Sequence, residues 1–343
     1  MVRGRERFPS FKTNGDFMFK RTFLRRLTLL AAALPLALAM PAQAQDWPSK
    51  PIRILVSFAP GGLTDQIGRV LSPKLQEAFG QPVVIENKPG AGGTLAEGTL
   101  AKSAPDGYTL LLSADSVPAN PHLMTRLPYD PGKDLLPVSM LAQIPLVLLV
   151  GKDMPVSNLK EFIAYAKGAG AKGSYGSPGV GTSNHLYFEV FKELAGLELP
   201  HVAYKGGGPA MTDLMGGHIH ALLISSTLAV PQVTGGKVKA IAVTSEKRLA
   251  QLPNVSTFAE AGFANFKPQQ WTGLFLPANT PSTVVARIHS EFTKVLKSPE
   301  VVARLQELNA EPVMNSQAEF TAFLRAEGLT LGKLIKDRGI TAQ

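Results

Sequence analysis

The chain has 343 residues, 35 Lys and Arg against 26 Asp and Glu for a formal charge of +9, and no cysteine. Without cysteine there are no disulfides, no thiolate catalysis and no Cys-ligated zinc, and the composition suits an oxidising compartment. Most of the basic excess lies in the first 44 residues, with eight basic and two acidic side chains; the remainder is only about +3 and lacks a basic stripe interleaved with aromatics. That argues against nucleic-acid binding, while a mild positive bias suits small acidic molecules.

In chain order, the first feature is a leader. Lys20, Arg21, Arg25 and Arg26 form a basic n-region, residues 27–38 an apolar h-region, and Ala42-Gln43-Ala44 a small-residue cleavage pattern. Together they predict a signal peptide over 1–44, with Met18 an alternative start and export to the periplasm. The apolar run is short for a membrane span. Lys20 stands where a twin-arginine signal needs its first Arg, which favours the Sec route.

The mature stretch of about 299 residues is near the size at which single cores divide, so two lobes are expected. Apolar runs at 52–58, 83–86, 108–112, 146–150, 202–204, 221–225, 240–243 and 274–276 read as buried strands. Helical spacing separates them, as in Ile67, Val70, Leu71, Leu75 and Phe79 before Gly80, with Pro73 expected to kink that helix. Residues 281–334 read as mostly helical. The alternation predicts an α/β fold with mainly parallel sheets, whose ligands sit at the carboxyl ends of strands.

Two such ends carry glycine turns. After the first run comes Phe58-Ala59-Pro60-Gly61-Gly62, then a helix holding Asp65; the glycines admit close backbone approach, and the first helical N–H groups lack internal partners. Residues 174–185 repeat the device. There, 176–183 resembles a phosphate loop, but Thr182 replaces its lysine, which argues for a carboxylate held by amides and hydroxyls over a nucleotide. A third glycine segment follows Lys205, which either faces the ligand or is a solvated turn residue. Asp65 and Asp213 either contact ligand or cap their helices, and His185 either walls the second cradle or packs there. His218 and His220 share an i, i+2 spacing without a third metal ligand nearby and read as a surface turn. Ser183 lies at a helix start without a G-x-S-x-G elbow, which argues against a hydrolase.

From Trp47 to Lys336 the chain resembles the Bug family, the extracytoplasmic substrate-binding proteins of tripartite tricarboxylate transporters. The matching motifs, in order, are PIRILVSFAPGGLTD (51–65), VIENKPGAGG (84–93), PDGYTLL (105–111), NPHL (120–123), LPYDP (127–131), GSPGVGTSNHL (176–186), VAYKGGGPAMTDL (202–214) and AVTSEKRLAQLPNVSTFAEAG (242–262). The resemblance implies a two-lobed periplasmic-binding-protein fold of type II-like architecture, with lobe 1 over 46–149 plus 270–343 and lobe 2 over 150–269. It places the ligand in the cleft between them.

It also implies that a ligand carboxylate is held by both cradles, partly through ordered waters. The residues carried over are Phe58, Pro60, Gly61, Gly62 and Asp65 from one lobe with Ser177, Gly181, Thr182, Ser183 and His185 from the other; Ser113 and Lys205 stand at strand ends expected to open on the cleft. Ile224 lies where relatives often carry an acidic residue, which disfavours ligands with an ammonium group. Residues 330–332 lack the Trp often found in the last helix.

The function expected on this basis is a monomeric transport receptor, with no cofactor, metal or enzymatic activity. It captures a small carboxylate by closure about crossings near 149–153 and 267–271, with Trp271 as a reporter of closure, and delivers the ligand to a membrane permease. The alternatives are a ligand sensor partnered with a histidine kinase and, more remotely, a hydrolase.

Overall fold

The computed structural model describes residues 47–168 and 173–341. The expected signal peptide lies outside the described residues. The first half of the fold runs β1 (Ile52–Val56), α1 (Leu63–Phe79), β2 (Val83–Asn87), a 3-10 turn (Ala91–Gly93), α2 (Thr94–Ala101), β3 (Thr109–Ser113), α3 (Ser116–Leu123), the short α4 (Pro131–Asp134) and a long β4 (Leu135–Gly151). There follow α5 (Leu159–Gly168), β5 (Tyr175–Ser177), α6 (Ser183–Ala195), β6 (His201–Ala203), α7 (Gly207–Met215), β7 (Ala221–Ser225), α8 (Ser226–Thr234) and β8 (Val238–Val243). The chain returns through β9 (Gln269–Pro277), α9 (Ser282–Leu296), α10 (Pro299–Glu307), the two-residue β10 (Glu311–Pro312) and α11 (Gln317–Asp337).

The strand order is β2-β1-β3-β9-β4-β7-β5-β6, with β8 and β10 also paired to β4. Parallel pairs sit toward both ends, β1 with β2 and β3, and β5 with β6 and β7. The centre is antiparallel, because β9 and β4 run against their neighbours. The sheets are therefore mixed, where alternating strands and helices predicted a mainly parallel arrangement. The two long strands that connect the halves supply the antiparallel pairs.

Strand β4 changes partners along its length. Residues 135–145 pair with β9, and from Leu146 onward the strand pairs with β7 and β8. The changeover lies slightly before the crossing expected from sequence. The 135–145 stretch was not among the apolar runs because Pro137, Ser139, Gln143 and Pro145 interrupt it, and the ladder absorbs them through register shifts at Pro137/Ser139 and Met140/Ala142.

Strand periodicity sorts the core. Along β1 and β3, Ile54, Leu110 and Leu112 pack under α1 and α9, while Leu55 and Leu111 turn to the opposite face with Trp271, Phe275 and Phe320. Past the changeover, Leu146 and Leu148 join Tyr175, Phe188 and Phe191, while Val147 and Leu149 join Leu214, Leu222 and Ile224. Ile224, read as a lost acidic position, is core. A smaller cluster of Ala119 and Leu123 from α3, Leu186 from α6, and Leu331, Leu334 and Ile335 from α11 ties the two regions together. Helix α1 continues through Pro73 without interruption.

Candidate functional site

The first cradle forms where β1 ends and α1 begins. Gly61 adopts φ +80°, which a side chain disfavours, and Gly62 occupies the N-cap of α1 with no side-chain cap. Pro60 and Gly61 are exposed, and Phe58 and Gly62 half-buried. Asp65 is instead 1% exposed beneath the loop. It accepts the Gly61 N–H at 2.9 Å, Arg69 Nε at 2.9 Å and Asn87 Nδ2 at 2.9 Å. Asn87 also donates to the Phe58 carbonyl at 3.1 Å. Burial pushes the Asp65 carboxyl up, but the bonds from Arg69, Gly61 and Asn87 outweigh it and hold it below the usual carboxylate range. Asp65 thus braces the turn from below, and the Gly62 N–H closes the turn onto the Ala59 carbonyl at 3.2 Å.

Ser113, at the carboxyl end of β3, is buried in a hydroxyl network that sequence reasoning missed. Ser57 Oγ donates to Ser113 Oγ at 2.9 Å, and Ser113 and Ser116 hydroxyls donate to Glu97 Oε1 at 2.9 and 2.6 Å. Tyr129 and Asn120 donate to the other Glu97 oxygen. Burial pushes the Glu97 carboxyl up, only partly offset by these donors. Beneath the strand ends of β1 and β3 lies a polar floor organised by one carboxyl group.

The second cradle is built from β5 and α6. Ser177 Oγ donates to the Gly179 carbonyl at 2.9 Å and meets His201 Nε2 at 2.7 Å. Thr182 caps α6, its hydroxyl accepting the His185 N–H at 3.4 Å and donating to the Gly179 carbonyl at 2.8 Å. Gly181 has φ +76° and donates its N–H to His185 Nδ1 at 3.1 Å. His185 therefore packs into the cradle and fastens it: its ring stacks on His201 with centroids 3.8 Å apart, and His201 stacks on Tyr175 at 4.9 Å. Burial, reinforced by the neighbouring His201, brings the His185 pKa down to about 4, and burial does the same for His201, also about 4. Both imidazoles are neutral at physiological pH.

The third glycine segment joins the second cradle through the Gly206 N–H, which donates to the Pro178 carbonyl at 2.8 Å. Lys205 is exposed on that turn. His218 and His220 lie in a bend, with His220 Nδ1 accepting the Ser174 N–H, and no cluster of three metal-ligating side chains occurs among the described residues.

Several contacts between the two regions lie at the α6 N-terminus. Asp115 Oδ2, from the turn into α3, accepts the Ser183 N–H at 2.6 Å, and Gln270 Nε2 reaches Ser183 Oγ at 3.3 Å and Asn184 Oδ1 at 2.9 Å. Neither Asp115 nor Gln270 was singled out from sequence. A groove of about 570 Å³ lined by Arg53, Thr99, Lys102 and Thr109 holds none of the candidate residues; it opens by the amino ends of β1 and β3, away from both cradles.

Residues 67–340 match the family model described as the tripartite tricarboxylate transporter family receptor. The chain belongs to this family. It is 34% identical to BugT of Bordetella pertussis over 304 residues, covering 88% of this chain and 93% of BugT. Among solved structures, periplasmic binding protein BugD is 33% identical with a TM-score of 0.77, over 87% of this chain and all of BugD. A Rhodopseudomonas palustris protein solved with adipate is 32% identical with a TM-score of 0.80, covering 86% and 99% of the two chains. The family and the α/β binding-protein architecture expected from the ordered motifs are thereby established.

Proposed function

We propose that this family receptor is an exported periplasmic solute-binding protein that captures a small carboxylate between the α1 and α6 cradles and delivers it to a tripartite tricarboxylate transporter permease. The observation that carries the reading is the uncapped, glycine-led start of α1 beside the carboxyl ends of β1 and β3, in a fold where the α6 start meets the same region through Asp115. Helix-start amides and the aligned peptide dipoles favour a negative guest. Adipate in a structural relative supports a carboxylate as that guest.

The proposed lobes are 46–149 with 270–343, and 150–269, with bending where β4 changes partners and where β9 begins. Closure draws on the difference in ligand affinity between open and closed forms. Phe58, Pro60, Gly61 and Gly62 on one side, with Ser177, Gly181, Thr182 and Ser183 on the other, form the ligand site in this reading. Asp65, Ser113 and His185 hold it in shape, and Lys205 stands at its margin. Binding needs no bond chemistry; in this reading the protein is a receptor, taken as a monomer, and not an enzyme.

A thermal-shift panel of mono- and dicarboxylates against their neutral amides tests this. A carboxylate at about 100 times its Kd raises stability by roughly 2.7 kcal/mol, and the matching amide has little effect. Equal shifts from acid and amide would refute anion recognition.

A further inference from the structure

The first amides of α6 are already in use, and one of their acceptors comes from the other region. Within the cradle, the Gly181 N–H donates to His185 Nδ1, the Thr182 N–H to the Gly179 carbonyl and the His185 N–H to the Thr182 hydroxyl. The Ser183 N–H donates instead to Oδ2 of Asp115, at 2.6 Å. Asp115 is 8% exposed, and burial pushes its carboxyl up, offset only in part by the bonds from Ser183; among the described residues no basic side chain pairs with it. Nearby, Glu327 of α11 accepts the Tyr187 hydroxyl, and repulsion from Asp115 adds to the burial that pushes the Glu327 carboxyl up. Asp115 also stands at the N-cap of its own helix, α3, without capping it, since its side chain accepts no N–H there. An N-cap carboxylate ordinarily takes an N–H of its own first turn. The side chain thus has two helix starts within reach and takes the one more distant in sequence.

We propose that Asp115 is an internal competitor for the ligand: its side chain occupies the α6 start in place of a guest carboxylate and must swing off Ser183, toward the start of α3 or to solvent, before both cradles can hold a guest. The inference rests on the proposed function and deepens it, since it identifies what an entering acid displaces. A single carboxylate that bridges α1 and α6 needs N–H groups from both helices. An Asp115 carboxylate left on Ser183 would face it as a like charge in a poorly solvated space. The exchange trades one anion for another at the same amide, so the helix start keeps its partner. Asp65, which braces the other cradle, is tied to Arg69 and Asn87 as well as to Gly61 and stays in place; Asp115, with no cation to anchor it, is the exchangeable acid. Competition of this kind lowers apparent affinity in proportion to the fraction of molecules whose start is free, so an occupancy of about nine-tenths weakens binding about tenfold.

The test joins affinity to a direct view of the Asp115 side chain. Calorimetric titration of the mature protein at neutral pH, with straight-chain mono- and dicarboxylates from acetate to suberate, finds the acid that binds best, and the same acid is titrated into Asp115→Asn, which keeps the volume but not the charge. The variant should bind it about tenfold more tightly. An unchanged or weakened affinity, the outcome if Asp115 only supports the fold, overturns the proposal. In wild type labelled at the aspartate carboxyl carbons, NMR should show the Asp115 resonance shifting as that acid saturates the protein, while the Ser183 amide proton keeps a carboxylate partner and stays at low field. An Asp115 resonance that does not move at saturation overturns the proposal with no variant needed, which covers the case of Asp115→Asn failing to fold. Should no acid bind either wild type or variant, the proposed function fails and this inference with it; should acids bind the wild type with Asp115 still on Ser183, only the inference fails.

Discussion

A Cβ built on Gly181 would lie 2.4 Å from Cδ1 of Leu123, so α3 and α6 meet at a point where only hydrogen fits. Gly181 also has φ +76°, which disfavours any side chain. Gly181→Ala should therefore push Leu123 away or distort the cradle, at a cost of about 1–3 kcal/mol. Urea denaturation measures it; an unchanged midpoint would mean that the two helices do not pack this closely in solution.

The stacked His185 and His201 should make stability depend on pH. Their pKa values of about 4 lie below the unfolded value near 6.5, so the stabilisation is complete above 6.5 and falls away as the pH drops from 6.5 toward 4, where the unfolded chain takes up protons that the folded form refuses. The effect is on the order of 2 kcal/mol per imidazole. Glu97, Asp115 and Glu327, whose carboxyls are pushed up, act in the opposite sense. The measurement is consequently a difference: His201→Phe should lose less stability than the wild type on passing from pH 6.5 to pH 4.5. Identical slopes would mean that His201 is not held neutral.

Asp65→Ala should loosen the first cradle. It removes the acceptor for the Gly61 amide, Asn87 and Arg69 together. With part-buried donors left unsatisfied, a loss of about 1–3 kcal/mol is expected, accompanied by weaker carboxylate binding. Faster amide exchange at Gly61, followed by NMR, would report the same event locally. Unchanged exchange would remove Asp65 from its bracing role.

Glu97→Ala should cost more than Glu97→Gln. Four side chains donate to this carboxyl group, and alanine leaves both a cavity and orphaned hydroxyls. A penalty of about 2–4 kcal/mol is expected for alanine, read as a drop in Tm, whereas glutamine keeps the volume and the hydroxyls can rotate to suit it. Equal penalties would show that packing alone matters at this position.

Much of this was readable in advance because it is local. The apolar run of β1, the glycines after it and the spacing of α1 lie within about thirty residues, and so does the loop from β5 into α6. What went unread has distant partners or broken patterns. The first part of β4 carries prolines and polar residues that only its bulged pairing with β9 explains. Asp115 precedes an α3 start and could be recognised as a cap, yet its partner Ser183 lies 68 positions further on. His201 sits in a three-residue strand with no motif of its own, and its stacking on His185 follows from β5 pairing beside β6.

Glycine-led helix starts and family membership thus follow from residue order alone, since torsional freedom and short-range periodicity are properties of neighbouring residues. Which carboxylates brace a loop, which one fills a helix start, and where the chain passes from one region to the other were settled only when β4 exchanged β9 for β7 and β8. That exchange brings α3, α6 and α11 into contact, and buried charge finds its partner through space, not along the chain.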